Sequence, residues 1–219
     1  MKTQKARIFI MDDHPLVREW LTSLINQQPD LVVCGEADDA AQALQAIETT
    51  TPEVAVVDLA LKSGSGLELI KDLKRICPGV AIVVLSMHDE MLYAERAFRA
   101  GARGYVMKRE STKKVVEAIR HVLDGKRYMS EQVGAALVEH WADGRQASDS
   151  PVALLSDREL AVFELLGQGQ ETRSIAESLH VSMKTVQTFC ARIKEKLKLG
   201  TERELLREAV RWQENRPEG

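Results

Sequence analysis

Five residues of the sequence could together act on a phosphoryl group, because they combine carboxylates with a hydroxyl and an ammonium group. They are Asp12, Asp13, Asp58, Ser86 and Lys108. Carboxylates gathered in one place repel one another and attract a hard cation, and Mg²⁺ is favoured because it takes few protein oxygens and keeps several waters. One carboxylate could then act as a nucleophile, while the Lys108 ammonium balances the charge that develops on the phosphoryl oxygens. The set therefore predicts phosphoryl transfer to a carboxylate.

Short apolar runs, each followed by an amphipathic segment, would have to position these residues. The runs are rich in Val and Ile and nearly continuous, which is typical of parallel strands buried on both faces. They cover residues 6–11, 31–34, 54–57, 80–85 and 104–107. Helical periodicity lies between and after them, near 15–27, 39–49, 66–76, 90–100 and 112–123. This alternation predicts an α/β fold, a doubly wound, flavodoxin-like parallel sheet of five strands in the order 2-1-3-4-5.

That topology would bring the five residues to one edge of the sheet. Right-handed crossovers place the carboxyl ends of all the strands on the same side. Asp12 and Asp13 follow the first strand and Asp58 follows the third, and these strands are neighbours where the strand order reverses and ligands bind. Ser86 and Lys108 follow the fourth and fifth strands. Each residue alone is more often a turn or surface residue, but together they predict one site.

After Gly125 the strand signals stop and only helical patterns remain. Residues 130–142 could form one helix, and residues 142–151 are small, polar and turn-rich, as expected of a linker. Four helical patterns follow, near 157–167, 171–178, 182–197 and 201–213. The spacing of Ser156 and Glu159 predicts a capping box at the start of the first of them. The end of the chain is therefore predicted to be a small all-α, four-helix domain.

The second and third of these helices are separated by a tight turn, which is the spacing of a helix-turn-helix. The third helix has one apolar face, and its opposite face has small and hydrogen-bonding side chains that suit a major groove. The residues expected to contact DNA are Lys184, Thr185, Gln187, Thr188, Ala191, Arg192 and Lys194. Residues 182–198 hold five basic residues against one acidic residue, a net charge of +4. A lysine-rich helix is often only a solvated one, but here the turn and both faces favour DNA binding.

The composition of the 219-residue chain limits the classes of protein that fit. It has 30 basic and 33 acidic residues, a net charge of −3, which argues against a histone-like or ribosomal protein but allows a local basic patch. The longest apolar run, at 80–85, is far shorter than the roughly 18 residues of a membrane span. Acidic residues come too early for a secretory signal, and three widely spaced cysteines predict reduced thiols. We expect a cytoplasmic protein with no membrane contact, divided into a domain at 1–125, a linker at 126–151 and a domain at 152–219.

Residues 7–123 resemble the receiver domain of bacterial two-component response regulators over nearly its whole length. The resemblance is carried by IFIMDDHPLVR, VAVVDLALKSGSGLELI, VVLSMHDE and AGARGYVMKR. It implies that Asp58 is the phosphoacceptor for a sensor histidine kinase and that Lys108 is the lysine of the phosphorylation site. The positions that match the family's Mg²⁺ ligands are Asp12, Asp13, Asp58 and the main-chain carbonyl of Ala60. Ser86 and Tyr105 match its switch residues.

Residues 155–212 resemble the LuxR-type helix-turn-helix domain, through LSDRE, LLGQG, SIAESLHVSMKTV, RIKEKL and ELLREAV. The two resemblances together indicate a NarL/FixJ-type response regulator, a transcription factor controlled by phosphorylation. They imply a sensor histidine kinase, double-stranded promoter DNA and a second copy of the chain as partners, with RNA polymerase as a further candidate. The sequence departs from the family at Arg109, where many receivers have proline, and at Gln187 and Phe189, where Lys and His are common. Gln187 removes a positive charge and could pair with adenine.

Two other functions fit parts of the sequence. A Mg²⁺-dependent phosphohydrolase could use Asp58 as its nucleophile, although the sequence offers no separate acid–base residue, and multiple turnover would identify it. A phosphate-independent protein-interaction module could keep the helix-turn-helix without binding DNA, and it would lack salt-dependent binding to duplex DNA. We expect no enzymatic activity beyond the receiver's own phosphorylation and dephosphorylation. His14, at the start of a helix, is interpreted as a capping residue or a neighbour of the acidic site.

Overall fold

The apolar runs of the first half form the five strands of one parallel sheet. In the computed structural model, which describes residues 5–61, 65–87, 90–142, 151–179 and 181–214, they are β1 (Ala6–Met11), β2 (Leu31–Ala37), β3 (Val54–Val57), β4 (Ala81–Ser86) and β5 (Gly104–Met107). The strand order is β2-β1-β3-β4-β5, so the predicted order 2-1-3-4-5 is confirmed. β2 continues past the predicted end at residue 34, because its pairing with β1 resumes after a register shift between Ile8 and Phe9.

Four helices connect the strands and a fifth follows the last strand, and together they cover the sheet. They are α1 (Pro15–Asn26), α2 (Ala40–Thr50), α3 (Gly66–Ile76), α4 (Glu90–Ala100) and α5 (Thr112–Leu123). The apolar positions that share one face of α5, among them Val115, Ile119 and Val122, are at most 3% exposed and pack in one core with β3 and β4. Burying one such side chain stabilises the fold by about 1.5–3 kcal/mol. The buried apolar face of α5 therefore packs against the sheet and helps to fix the positions of the strand ends.

The outer edge of β5 is covered by a residue that follows α5. The main-chain N–H of Tyr105 donates to the carbonyl of Tyr128 over 3.0 Å, and the N–H of Tyr128 donates to the carbonyl of Arg103 over 2.9 Å. Tyr128 therefore forms a single parallel bridge beside Gly104. This bridge satisfies main-chain groups that an open sheet edge would leave to solvent. The helix α6 (Glu131–Ala142) begins three residues later.

The chain divides into two compact units, residues 1–137 and 138–219. In the second unit a 3₁₀ turn at Pro151–Leu154 precedes the four predicted helices, which are α7 (Asp157–Gly167), α8 (Thr172–Ser178), α9 (Met183–Leu197) and α10 (Glu202–Glu214). The predicted capping box is present, with Ser156 and Glu159 exchanging hydrogen bonds. Residues 143–150 of the predicted linker lie outside the described residues. No helix among the described residues is both long enough and apolar enough to cross a membrane.

Candidate functional site

Three buried aspartates lie together at the carboxyl edge of the sheet. β1 and β3 are neighbours with Met11 opposite Val57, so the residues that follow them, Asp12 and Asp58, are also side by side. The N–H of Asp58 donates to the carbonyl of Met11 over 2.9 Å, which fixes this alignment. The side-chain ligand atoms of Asp12, Asp13, Asp58 and His14 all lie within 4.8 Å of one another. The structure thus brings together three of the predicted site residues, each no more than 5% exposed.

Lys108 connects two of these carboxylates. Its Nζ lies 2.6 Å from Oδ2 of Asp58 and 2.7 Å from Oδ2 of Asp12, and its side chain is 13% exposed. The N–H of Lys108 donates to the carbonyl of Ser86 over 2.8 Å, so β4 and β5 end together. Burial by itself would lower the pKa of Lys108, but the charges and hydrogen bonds of Asp58 and Asp12 outweigh burial and raise that pKa. A charged lysine is therefore fixed beside the candidate phosphoacceptor.

Each oxygen of Asp58 has a hydrogen-bond donor. Oδ2 accepts from Lys108, and Oδ1 accepts from the main-chain N–H of Ala60 over 3.2 Å. Burial is the largest influence on the pKa of Asp58 and raises it, the charge and hydrogen bond of Lys108 oppose that rise, and the nearby charge of Asp12 adds to it. The net pKa lies above the ordinary value. Additional positive charge at this site would favour the ionised, nucleophilic form.

The chemistry of the donor set fits a hard divalent cation. Three buried carboxylates lie together, Lys108 pairs with two of them, Asp12 and Asp58, and Mg²⁺ prefers oxygen ligands of this kind. The N–H of Ala60 donates to Asp58, whereas the ligand role of the Ala60 carbonyl stays a prediction. His14 makes no side-chain capping bond; its Nδ1 lies 2.6 Å from Oδ1 of Asp13 and its side chain is 61% exposed. His14 therefore lies beside the acidic pair, at the rim of the site.

The two predicted switch residues lie on adjacent strands. Ser86 ends β4 opposite Met107, and Tyr105 lies opposite Val84 on β5. Ser86 is 0% exposed and Tyr105 is 1% exposed, so the tyrosine ring is enclosed in the first unit. The main chain of Tyr105 is also the part of β5 that bonds to Tyr128. Main-chain hydrogen bonds therefore connect β5 directly to the segment that precedes α6.

Gly66 is a positioning residue that the sequence analysis did not recognise. It begins α3, and its N–H donates to the carbonyl of Leu59 over 3.1 Å. A Cβ atom at Gly66 would overlap the carbonyl oxygen of Asp58 and lie 2.5 Å from Cα of Leu59. The absence of a side chain therefore allows α3 to begin directly against the turn that carries Asp58. The sequence signal was a glycine at the end of a strand-to-helix loop, which is common at such turns.

In the second unit, α9 has the two faces that the sequence predicts. Ser182 caps its start by accepting from the N–H of Thr185 over 3.1 Å. The apolar residues Val186, Cys190 and Ile193 are buried. The exposed members of the predicted DNA-contact set are Lys184, Gln187, Thr188, Ala191 and Arg192, while Thr185 and Lys194 are half-buried. The exposed face therefore carries the small and hydrogen-bonding side chains that suit base edges and phosphates.

The position of Lys196 in the basic segment suggests a contact with DNA, but its side chain pairs with a carboxylate of α7. Its Nζ lies 2.6 Å from Oε2 of Glu159 on α7, and Glu159 is only 3% exposed. One of the five basic charges counted on this segment is thus used inside the second unit. The charge available for DNA is correspondingly smaller than the +4 of residues 182–198 suggests.

Comparisons with known proteins match both units. Residues 8–120 match the family model for the response regulator receiver domain, and residues 153–209 match that for bacterial regulatory proteins of the luxR family. The chain is 32% identical over 211 residues to oxygen regulatory protein NreC of Staphylococcus epidermidis, covering 94% of this chain and 97% of NreC. It is 34% identical over 205 residues to response regulator GacA of Pseudomonas viridiflava, covering 94% and 95% of the two chains.

Solved structures resemble the chain over most of its length. RcsB from Salmonella enterica serovar Typhimurium, bound to promoter rprA in the presence of the phosphomimetic BeF₃⁻, is 25% identical with a TM-score of 0.63, covering 94% of this chain and 99% of RcsB. A two-component response regulator of the LuxR family from Aurantimonas sp. SI85-9A1 is 36% identical with a TM-score of 0.59 and covers 64% of this chain and 99% of its own.

Proposed function

Because the chain belongs to the NarL/FixJ-type response regulators, with a receiver domain and a LuxR-type DNA-binding domain, we propose that phosphorylation of Asp58 controls its binding to promoter DNA. The observation that carries this proposal is the position of Lys108, which lies between Asp58 and Asp12 in a cluster of three buried carboxylates. The proposed domain limits are a receiver at 1–125, a linker at 126–151 and a DNA-binding domain at 152–219. A regulator of this kind acts in the bacterial cytoplasm, where its DNA is.

In the proposed reaction a carboxylate oxygen of Asp58 attacks the phosphorus of a phosphohistidine on a sensor kinase. An O–P bond forms, the N–P bond breaks, and the imidazole of the kinase leaves with its electron pair. Lys108 balances negative charge on the transferred group, and the N–H of Ala60 keeps the second carboxylate oxygen oriented. Mg²⁺, held by Asp12, Asp13, Asp58 and the Ala60 carbonyl, would supply further charge neutralisation.

The phosphoryl group would then bias a two-state surface of the receiver. It adds a compact charge of about −2 at the edge where Ser86 ends β4, and a rearrangement of Ser86 and Tyr105 would alter the surface formed by α4, β5 and α5. Dimerisation in the phosphorylated state would place two copies of α9 about one helical turn apart on an inverted repeat. Leu206 on α10 is 45% exposed and is a candidate dimer contact. RNA polymerase is a candidate partner of the DNA-bound dimer.

The proposal is tested by mass spectrometry of the full chain after incubation with acetyl phosphate and Mg²⁺. We expect one added phosphoryl group in the wild type, none in Asp58→Asn, and an unchanged yield in Asp124→Asn, whose carboxylate is exposed and lies outside the site. Equal labelling of Asp58→Asn would contradict the assignment. Repeated turnover of the phosphodonor, without accumulation of the acyl phosphate, would favour a phosphohydrolase instead.

A further inference from the structure

A concave pocket lies at the opposite edge of the receiver sheet from Asp58. Its volume is about 310 Å³ and its lining residues are Lys74, Phe98, Gly101, Ala102, Arg103, Gly125 and Arg127. These residues come from the end of α3, the end of α4, the start of β5 and the turn after α5. Because the strands are parallel, the amino end of β5 lies away from the carboxyl edge that holds the phosphorylation site. The pocket is therefore separate from the site described above.

The three charged residues of this pocket are all cations with neutral partners. Lys74 donates from Nζ to the carbonyl of Pro78 over 2.8 Å, and Arg103 donates to the carbonyl of Gly125 over 3.5 Å. The guanidinium of Arg127 lies 5.9 Å from the centre of the Phe98 ring. Within the part of the chain that the structure describes, none of these three cations forms an ion pair, and no carboxylate lines the pocket.

Nearby cations outside the pocket behave differently. Arg75 pairs with Asp72 over 3.2 Å, Arg99 with Glu95 over 2.7 Å, and Lys126 with Asp124 over 3.5 Å. Arg75 and Lys126 directly neighbour the pocket cations Lys74 and Arg127 in the sequence, and Arg99 directly follows Phe98, so acidic partners are present in this region. They compensate cations that do not line the pocket. Among the described residues the pocket itself keeps three positive charges without a compensating carboxylate, which is the electrostatic arrangement of an anion site.

The backbone at Gly101 leaves room for the side chain of Lys74, one of the three pocket cations. Gly101 has φ +120°, and a Cβ atom there would lie 2.9 Å from Cγ of Lys74. The aliphatic part of Lys74 therefore lies directly on the glycine backbone, where a larger residue would be strained and would displace it. Gly125, with φ +76°, makes the turn that returns the chain to the pocket beside Arg103. Three segments distant in the sequence thus converge on a shaped cavity.

We propose that this pocket binds a small phosphorylated anion. Two guanidinium groups can each offer a planar pair of donors to phosphate oxygens, and the lysine adds a third charge. The half-buried ring of Phe98 gives an apolar wall for an organic part of the ligand. A concave space of about 310 Å³ fits a small molecule, whereas the convex surface of a DNA duplex would not enter it. The proposed ligand is therefore a small phosphate compound and not DNA. The proposal goes beyond phosphorylation of Asp58 and does not depend on it.

Binding would also involve the segment that covers β5. Arg103 precedes Gly104, whose bridge partner is Tyr128, and Arg127 directly precedes Tyr128. A ligand that contacts both arginines would connect the start of β5 to the segment that leads into α6. We expect amide exchange at Tyr105 and Tyr128 to slow when the pocket is occupied, because their main-chain hydrogen bonds hold this segment on the sheet.

The test is a titration of the ¹⁵N-labelled full chain with sodium pyrophosphate in EDTA, without Mg²⁺. We expect saturable amide shifts at Gly101, Arg103, Gly125 and Arg127. The double variant Arg103→Gln/Arg127→Gln should bind at least about tenfold more weakly, because two charge-assisted contacts are lost. The matched control is Arg99→Gln/Lys126→Gln, which removes the same charge from cations that are already paired and should retain the wild-type affinity.

Several outcomes would overturn the proposal. One is the absence of saturable shifts at the pocket up to about 10 mM pyrophosphate, an affinity too weak for a specific site. Another is an equal loss of binding in the control variant, which would indicate only general attraction to a basic surface. Shifts confined to α9 or to the Asp58 edge, or pocket shifts produced by duplex DNA and not by pyrophosphate, would also contradict it. Asp58→Asn should bind pyrophosphate as the wild type does, which separates this test from that of phosphorylation.

Discussion

Lys196 of α9 donates from Nζ to Oε2 of Glu159 on α7 over 2.6 Å, and the same oxygen accepts from the main-chain N–H of Ser156 over 2.7 Å. One buried carboxylate therefore joins the capping box of α7 to the last turn of α9. This contact fixes the helix that carries the predicted DNA-binding face against the helix that begins the four-helix domain.

Replacing Lys196 with Met should destabilise the second unit by about 1–2 kcal/mol. Breaking a fully buried pair costs roughly 3–5 kcal/mol, but the Lys196 side chain is 37% exposed and solvent screening reduces the loss. The measurement is native-state hydrogen exchange of α7 and α9 amides. Lys198→Met, at an exposed position of the same segment, is the control and should change protection little. Equal protection in both variants would show that the pair contributes nothing to stability.

The same contact predicts how the second unit responds to acid. Burial would raise the pKa of Glu159, but the hydrogen bonds from Lys196 and Ser156 outweigh it and hold the pKa below its ordinary value of 4.5. A depressed folded-state pKa stabilises the fold above the unfolded-state value, and this stabilisation is lost as the pH falls through the folded-state pKa. Urea unfolding of the second unit should thus show stability decreasing below about pH 4.5. Glu159→Gln should be less stable at pH 7 but lose less on acidification; an unchanged pH slope would contradict this account.

The fold and the acidic site could be predicted because they follow from local patterns. Apolar runs locate the strands, parallel topology gathers their carboxyl ends, and the positions of Asp12 and Asp58 follow. The Lys196–Glu159 pair could not be predicted, since charge counting treats every lysine of a basic helix alike and the two residues are distant in sequence. Tyr128 was also missed, because a single bridging residue leaves no periodicity. The basic pocket depends on three segments whose approach only the folded chain shows.

Asp13→Asn should have opposite effects on the first unit with and without Mg²⁺. Without the metal it removes one of three mutually repelling carboxylates and should raise the thermal stability at pH 8. With Mg²⁺ it removes a proposed charged oxygen ligand and should weaken metal affinity by about tenfold or more. Thermal unfolding of the first unit across a Mg²⁺ titration measures both. Asp124→Asn is the control, and a variant that kept the full Mg²⁺-dependent stabilisation would exclude Asp13 as a ligand.

The salt dependence of binding to duplex DNA should distinguish the cations of α9. Each phosphate contact contributes about 0.9 to the slope of log K against log salt. Lys184→Ala and Arg192→Ala, at exposed positions, should therefore each lower the slope by about 1. Lys196→Met should leave it unchanged, because Glu159 already uses that charge. Gln187→Lys should raise it by about 1. Fluorescence anisotropy of the full chain with a labelled duplex gives these slopes, and a slope near zero in the wild type would favour the protein-interaction module.

Gly66→Ala should displace the proposed phosphorylation site itself. The added Cβ would overlap the carbonyl oxygen of Asp58 and lie 2.5 Å from Cα of Leu59, and both obstacles are main-chain atoms that cannot rotate away. The start of α3 or the turn after β3 must therefore move, at a cost of about 1–3 kcal/mol, as for other overpacked sites. Such a shift would carry Asp58 away from Lys108, whose Nζ now lies 2.6 Å from Oδ2 of Asp58. The yield of labelling by acetyl phosphate should therefore fall by more than the loss of folding stability alone would cause.

The matched control for this substitution is Gly79→Ala. A Cβ atom there meets nothing within 4 Å, so the same chemical change should leave stability and labelling close to those of the wild type. Amide shifts of Asp58 and Lys108 report whether the site has moved, and urea unfolding reports stability. Full labelling of Gly66→Ala with an unshifted Asp58 amide would mean that the junction between β3 and α3 yields elsewhere. In that case the close approach of Gly66 would not be what positions Asp58.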